Sequence, residues 1–199
     1  MEDYSEILTF WFGHGETNLE VMNEKSSLWW NKDPALDKEI KTRFESHLVN
    51  FSNGELDAWQ ADSNGWLAII ILADQFSRNI YRDSPKAFAL DAKAINLVHD
   101  GIRKAIDKKL RLIEQVFFNM PLMHSESMAD QELSILQFKK IVESAQDEEK
   151  ERLQVNVNYA VSHRDIIQRF GRYPHRNTAL GRESTPEEIE FLQQPGSSF

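Results

Sequence analysis

The sequence predicts an all-α protein of about eight helices in antiparallel pairs. Three observations carry that prediction. Helix start and stop residues recur along the chain, apolar residues return every three or four positions, and alternating strand patterns are scarce. With 199 residues, the chain is long enough for one domain with a sizeable core and marginal for two. Nothing of low complexity divides it. The polar stretch 145–151 is the one candidate hinge, so a single domain over 1–199 is expected.

The elements follow in order. Asp33-Pro34 reads as an N-cap followed by an N1 proline. Behind it, Leu36, Ile40, Phe44, Leu48 and Phe51 form one helix face, and Gly54 stops it. Ser63 is expected to cap the next helix, whose residues 66–73 are apolar all round and therefore buried on most sides. Ser84-Pro85 opens another, with Phe88, Asp91, Ile95 and Val98 on one stripe. Residues 110–120 read as a helix ended by Pro121. Residues 127–145 follow, with Leu133, Ile135 or Leu136, Phe138, and Ile141 or Val142 inward. Residues 148–170 form the next helix, closed by Gly171. Thr185-Pro186-Glu187-Glu188 has the form of a capping box and opens a short last helix. The aromatic pairs Trp11-Phe12 and Trp29-Trp30 read as core.

Composition narrows the function classes. The chain has no cysteine, which removes disulfides, thiol catalysis and thiolate metal sites and fits a reducing compartment. Its start is acidic where a secretory signal is basic, and its longest apolar run is about half a membrane span. These features predict a cytoplasmic protein without a membrane partner. A net charge of −9 argues against nucleic acid. No glycine-rich phosphate loop, G-x-S-x-G or cofactor signature occurs, so no cofactor is expected.

Polar residues on apolar faces mark the candidate site. Asp91 lies between Ala87, Phe88, Ala94 and Ile95. It must find a partner if buried, and an arginine or a helix N-terminus is expected. Asp74 and Gln75 end the most apolar helix. Arg78, four residues on, can pair with Asp74 along the helix, and Asn79 and Arg82 follow. A local ion pair and a ligand-facing block are both open here. His124-Ser125-Glu126 follows Pro121. Glu126 and Asp130, four apart, would share a face and repel unless a cation, histidine or proton lies between them. A solvated first turn, an acid/base pair and a metal pair are the readings. The metal reading is weakest because no ligand spacing such as H-E-x-x-H appears. His163 shares a stripe with Ile167 and Phe170 and points inward. It is either a satisfied core residue or a catalyst.

The segment 163–182 holds five arginines (164, 169, 172, 176 and 182) with only Asp165 as an acid. Arg169, Arg172, His175, Arg176 and Asn177 fall across a helix end and the turn at Pro174. Internal salt bridging accounts for such a cluster, and so does recognition of a carboxylate or phosphate. The carboxylate of Phe199 could dock onto Arg164, Arg172 or Arg176 as an internal ligand.

At these same residues the chain resembles the bacterial DUF924 family. The matching blocks are 7–13, 29–44, 54–59, 72–94, 120–134, 162–192 and the tail 195–199. Ser77 stands where the family often has proline, and the family often has a glycine near Asp83. The resemblance implies a tetratricopeptide-like, right-handed helical array and brings no activity with it. No repeat of about 34 residues is visible. Three functions compete. In the first, Asp74, Arg78, Asn79, Asp130, Arg164, Arg172, His175, Arg176 and Asn177 bind a small anionic molecule. His124, Glu126 and His163 then supply acid/base chemistry for a hydrolytic or isomerising step. In the second, a helical scaffold binds a peptide or protein. In the third, the polar blocks form an ion-pair lattice that fixes helix register.

Overall fold

The computed structural model describes residues 4–197. Among them there are helices and no strands. In chain order these are α1 (Ser5–Phe12), α2 (Asn18–Trp30), α3 (Pro34–Ser52), α4 (Ser63–Ile71), α5 (Ser77–Ile80), α6 (Asp91–Arg103), α7 (Leu112–His124), α8 (Met128–Ser144), α9 (Asp147–Phe170) and α10 (Pro186–Leu192). A π-helical turn, Leu72–Phe76, joins α4 to α5 without a break. The count is close to the expected eight.

The capping chemistry is mostly where the sequence put it. The Asp33 carboxylate accepts the Ala35 N–H at 2.8 Å. Thr185 and Glu188 form the reciprocal box that starts α10. Gly171 closes α9 with φ +68°, a left-handed conformation that costs glycine little. The cap of α4 is a correction: Asp62, not Ser63, accepts the N–H groups of Asn64 and Gly65 at 2.9 and 3.0 Å. A carboxylate satisfies two orphan donors there and also complements the helix dipole. Asp83, near the expected glycine, is held at φ +59°.

Three further expectations change. Pro121 does not end α7 but lies inside it, and the helix runs on to His124. Pro121 is buried among core residues, and this packing overrides the lost backbone donor. Ser84-Pro85 opens only a short 3₁₀ turn, Pro85–Phe88, and α6 begins afresh at Asp91. Asp91 is thus in a first helical turn, not in mid-helix. Of the alternatives on α8, Ile135 is buried and Leu136 is half exposed.

α4 is buried on every side from Gly65 onward, and α1, α6 and α7 pack against it. Trp11, Phe44, Phe76 and Phe117 meet in edge-to-face and tilted contacts between 4.8 and 5.5 Å, separations favoured by ring quadrupoles. Trp11 and Phe12 are buried as expected, whereas Trp30 is 55% exposed. The two-residue connection between α8 and α9 makes them an antiparallel hairpin, and the acidic stretch 145–151 forms that connection and the first turn of α9. The C-terminal segment has its own small apolar cluster of Ile166, Ile167 and Tyr173 with Phe170 and Phe191. No helix among the described residues is long and apolar enough to cross a membrane.

Candidate functional site

The π turn shapes the site. One extra residue per turn rotates Asp74 and Gln75 off the regular helical register, a distortion that recurs at functional positions. Asp74, 1% exposed, is surrounded by donors. His124 Nδ1 lies 2.7 Å from it, Gln75 Nε2 donates at 2.7 Å, and Arg78 stands at 3.2 Å. Burial pushes the Asp74 carboxyl up, but the charges of Arg78 and His124 and these hydrogen bonds outweigh it. They hold the group well below the usual carboxylate range. Asp74 is therefore a carboxylate, and His124 Nδ1 must carry the proton it donates.

Arg78 continues the chain of charges. It donates to both oxygens of Asp91, at 2.9 and 3.1 Å, and to the Asp74 backbone carbonyl at 2.9 Å. Arg176 shares the Oδ2 of Asp91 with Arg78, at 3.4 Å. Asp74, Arg78, Asp91 and Arg176 thus alternate in sign across α4–α6 and the C-terminal segment. The guanidinium of Arg176 stacks on Phe88 at 4.9 Å and Tyr173 at 4.5 Å. It is 6% exposed, and its Nε has no hydrogen-bond partner. Burial and the nearby Arg78 lower its pKa to about 10.

Three imidazoles complete the cluster. The rings of His124 and His163 are 6.3 Å apart between centroids. Tyr173 contacts His163 at 5.7 Å and His175 at 5.5 Å. His163 Nδ1 donates to the Tyr159 carbonyl at 2.7 Å. Burial, and then the neighbouring His124, lower His163 to about 3. Burial and Arg176 lower His175 to about 4. His124 is also lowered, by burial and by Arg78 and Arg176, although Asp74 opposes this. All three are neutral near pH 7.

The other sequence-selected residues are placed as follows. Glu126 and Asp130 do not face each other. Glu126 lies before α8, where Arg182 clamps both its oxygens at 2.8 and 3.0 Å and the Tyr173 N–H donates at 2.8 Å. Asp130 accepts from Ser125 at 2.6 Å and meets His99 Nε2 at 2.8 Å. Asn79 donates to Asp37 at 2.8 Å, beside Arg82. Arg164 pairs with Glu132 and Asp165. Arg172 grips Glu188, and Asn177 donates to Ser184 and Glu188. The structure therefore brings together Asp74, Arg78, His124, His163, His175 and Arg176. It gives Asn79, Asp130, Arg164, Arg172 and Asn177 partners outside that cluster, with Arg172 and Asn177 sharing Glu188.

Every arginine of 163–182 has a carboxylate partner, so internal pairing accounts for most of the charge. Arg176 has the longest of these contacts. Tyr173 was not singled out by the sequence, yet it is fully buried at the centre. Its hydroxyl donates to the Met123 carbonyl at 2.6 Å and accepts from Gln131 at 2.8 Å. An aromatic residue between Arg172 and Pro174 in a polar segment was the available signal. Phe199 lies outside the described residues. No group of three carboxylate or imidazole side chains among the described residues is arranged to hold a metal.

The family model "Bacterial protein of unknown function (DUF924)" matches residues 7–196. The chain belongs to the DUF924 family. A solved structure agrees: the protein of unknown function ATU0120 from Agrobacterium tumefaciens is 30% identical and superposes with a TM-score of 0.81, over 96% of each chain. Comparison with curated proteins finds no match. The DUF924 match spans the π turn, the end of α7 and the C-terminal segment, so all parts of the charged cluster fall within it.

Proposed function

We propose that the cluster binds a small anionic molecule and that His124 acts on it as a general base. One observation carries this reading: a buried guanidinium, Arg176, keeps a donor unbonded beside an imidazole that Asp74 holds by its other nitrogen. A buried N–H without a partner is costly, and an anion is the complement of that donor. The side chains of His124 and Arg78 are about a fifth exposed, which gives the cluster an edge toward water.

In this reading Arg176 holds the anionic group. Asp74 orients His124 and stabilises the imidazolium that forms when Nε2 takes a proton. The proton comes from a water in a hydrolysis or from the bound acid in an isomerisation. His163, 6.3 Å away between ring centroids, stays neutral beside it. Glu126 is a positioning residue, because Arg182 and the Tyr173 amide occupy its oxygens.

Isothermal titration with inorganic phosphate and a panel of small carboxylates tests the binding step. The wild-type chain is expected to bind at least one of them, and the Arg176→Met variant to lose that binding while keeping its helical circular dichroism. A wild-type chain that binds none of them overturns the reading, as does equal binding by both proteins. Turnover of a bound ester or hydroxy acid should fall at least about a hundredfold in His124→Asn, the usual scale for a general base.

A further inference from the structure

We infer that the ligand of this site is a small hydroxy acid, whose anionic group meets Arg176 and whose hydroxyl donates to His124 Nε2. The inference rests on the anion-binding reading above and specifies the chemistry of the ligand.

Asp74 is ionised and can only accept, so the 2.7 Å contact fixes the proton of His124 on Nδ1. In the neutral ring Nε2 then carries a lone pair and can only accept. No hydrogen bond to Nε2 exists among the described residues, and the side chain is 18% exposed. Arg176 Nε is the opposite case, a donor that lacks an acceptor. Between His124 and Arg176, the open atoms are therefore one acceptor and one donor. A simple carboxylate or a fully ionised phosphate offers only acceptors. It would satisfy Arg176 and leave the Nε2 lone pair facing another lone pair. A ligand that satisfies both atoms must carry a donor as well.

Two kinds of donor are available on a small acid, a hydroxyl and an ammonium. The surroundings of His124 choose between them. Burial lowers the basicity of His124, His163 and His175, and the charge of Arg176 adds to it at all three, with Arg78 adding at His124 and His175. Surroundings whose burial and positive charge keep a proton off three imidazoles also disfavour an ammonium. A hydroxyl donates without bringing positive charge. The same burial and charge keep His124 neutral and thus keep Nε2 an acceptor. A hydroxyl bonded to Nε2 is also in the position from which a general base removes a proton.

The test compares matched acids by isothermal titration at pH 7.5: glycolate with acetate, lactate with propionate and alanine, and malate with succinate and aspartate. Each hydroxy acid is expected to bind at least about tenfold more tightly than its deoxy partner, the usual cost of leaving a buried polar atom unpaired. The amino acids are expected to bind no better than the deoxy acids. In His124→Asn the hydroxyl preference should vanish while acid binding through Arg176 survives, with the folded state checked by its melting transition. Nitrogen NMR of the histidine rings gives a second reading on the unmutated chain: the His124 Nε2 resonance should move on adding the hydroxy acid and stay in place with the deoxy acid. Binding of hydroxy and deoxy acids with equal affinity overturns this inference and leaves the anion site standing. Binding of the amino acid as tightly as the hydroxy acid overturns it too. Failure of every acid to bind overturns the anion site itself.

Discussion

His124, the last residue of α7, and Asp74, in the π turn after α4, are fifty positions apart and meet at 2.7 Å. Asp74 receives His124, Gln75 and Arg78 at once, so removing its charge strands three donors. Asp74→Asn is expected to cost on the order of 3 kcal/mol, the scale for breaking a buried ion pair from one side. Urea unfolding measures it. A loss under about 1 kcal/mol would show that the pairing carries little of the fold.

The neutral histidines give stability a defined pH dependence. In the unfolded chain a histidine takes a proton near 6.5, whereas folded His163 and His175 resist it down to about 3 and 4. Between these limits the unfolded state binds more protons, so stability falls as pH falls. The slope is about 1.4 kcal/mol per pH unit for each group at full effect. Asp74 adds its own loss only below its unfolded value of 3.8. Urea midpoints at pH 7, 6 and 5 should fall in order, and His163→Asn should flatten the trend. A midpoint constant from pH 7 to 5 contradicts the buried neutral state.

Tyr173 pins the C-terminal segment to the helical body through its hydroxyl bond to Met123. Tyr173→Phe removes one of the two donors to that carbonyl, the other being Gln131 Nε2 at 2.7 Å, and takes an acceptor from Gln131 as well; it is expected to cost about 1 kcal/mol. Because Arg176 stacks on the same ring, amide exchange in residues 174–182 should quicken as well. An unchanged exchange pattern would mean that other contacts hold the segment.

α4 packs against the Trp59 backbone with no room to spare. A Cβ at Gly65 would collide with the Trp59 carbonyl oxygen, which is main chain and cannot swing aside. Gly65→Ala should therefore destabilise by at least about 2 kcal/mol, in the range of overpacked cores. Thermal denaturation reads the effect, and an alanine variant as stable as wild type would refute the close approach.

Arg164 supplies the contrast. It pairs with Glu132 and Asp165, both more than half exposed. Arg164→Ala should change stability by no more than about 0.5 kcal/mol, as exposed ion pairs usually do. It should also leave acid binding intact, whereas Arg176→Met abolishes it. Loss of binding in Arg164→Ala would move the anion site to a different arginine.

The sequence by itself determined the helical class, the caps at Asp33, Gly171 and Thr185, and the inward faces of α3, α8 and α9. Each depends on residues a few positions apart, where spacing dictates contact. It also showed that Asp91 and His163 are polar groups on buried faces. Only the tertiary structure decided which charges meet. Glu126 and Asp130, neighbours by spacing, turn to Arg182 and His99, while Asp74, Arg78, Asp91 and Arg176 converge from three parts of the chain. The difference is one of range. A cap or a helix face is fixed by local geometry, but an ion pair is fixed by whichever partner the packed helices leave within reach. In a chain with 23 basic and 32 acidic residues, many pairings are compatible with the same pattern of apolar positions.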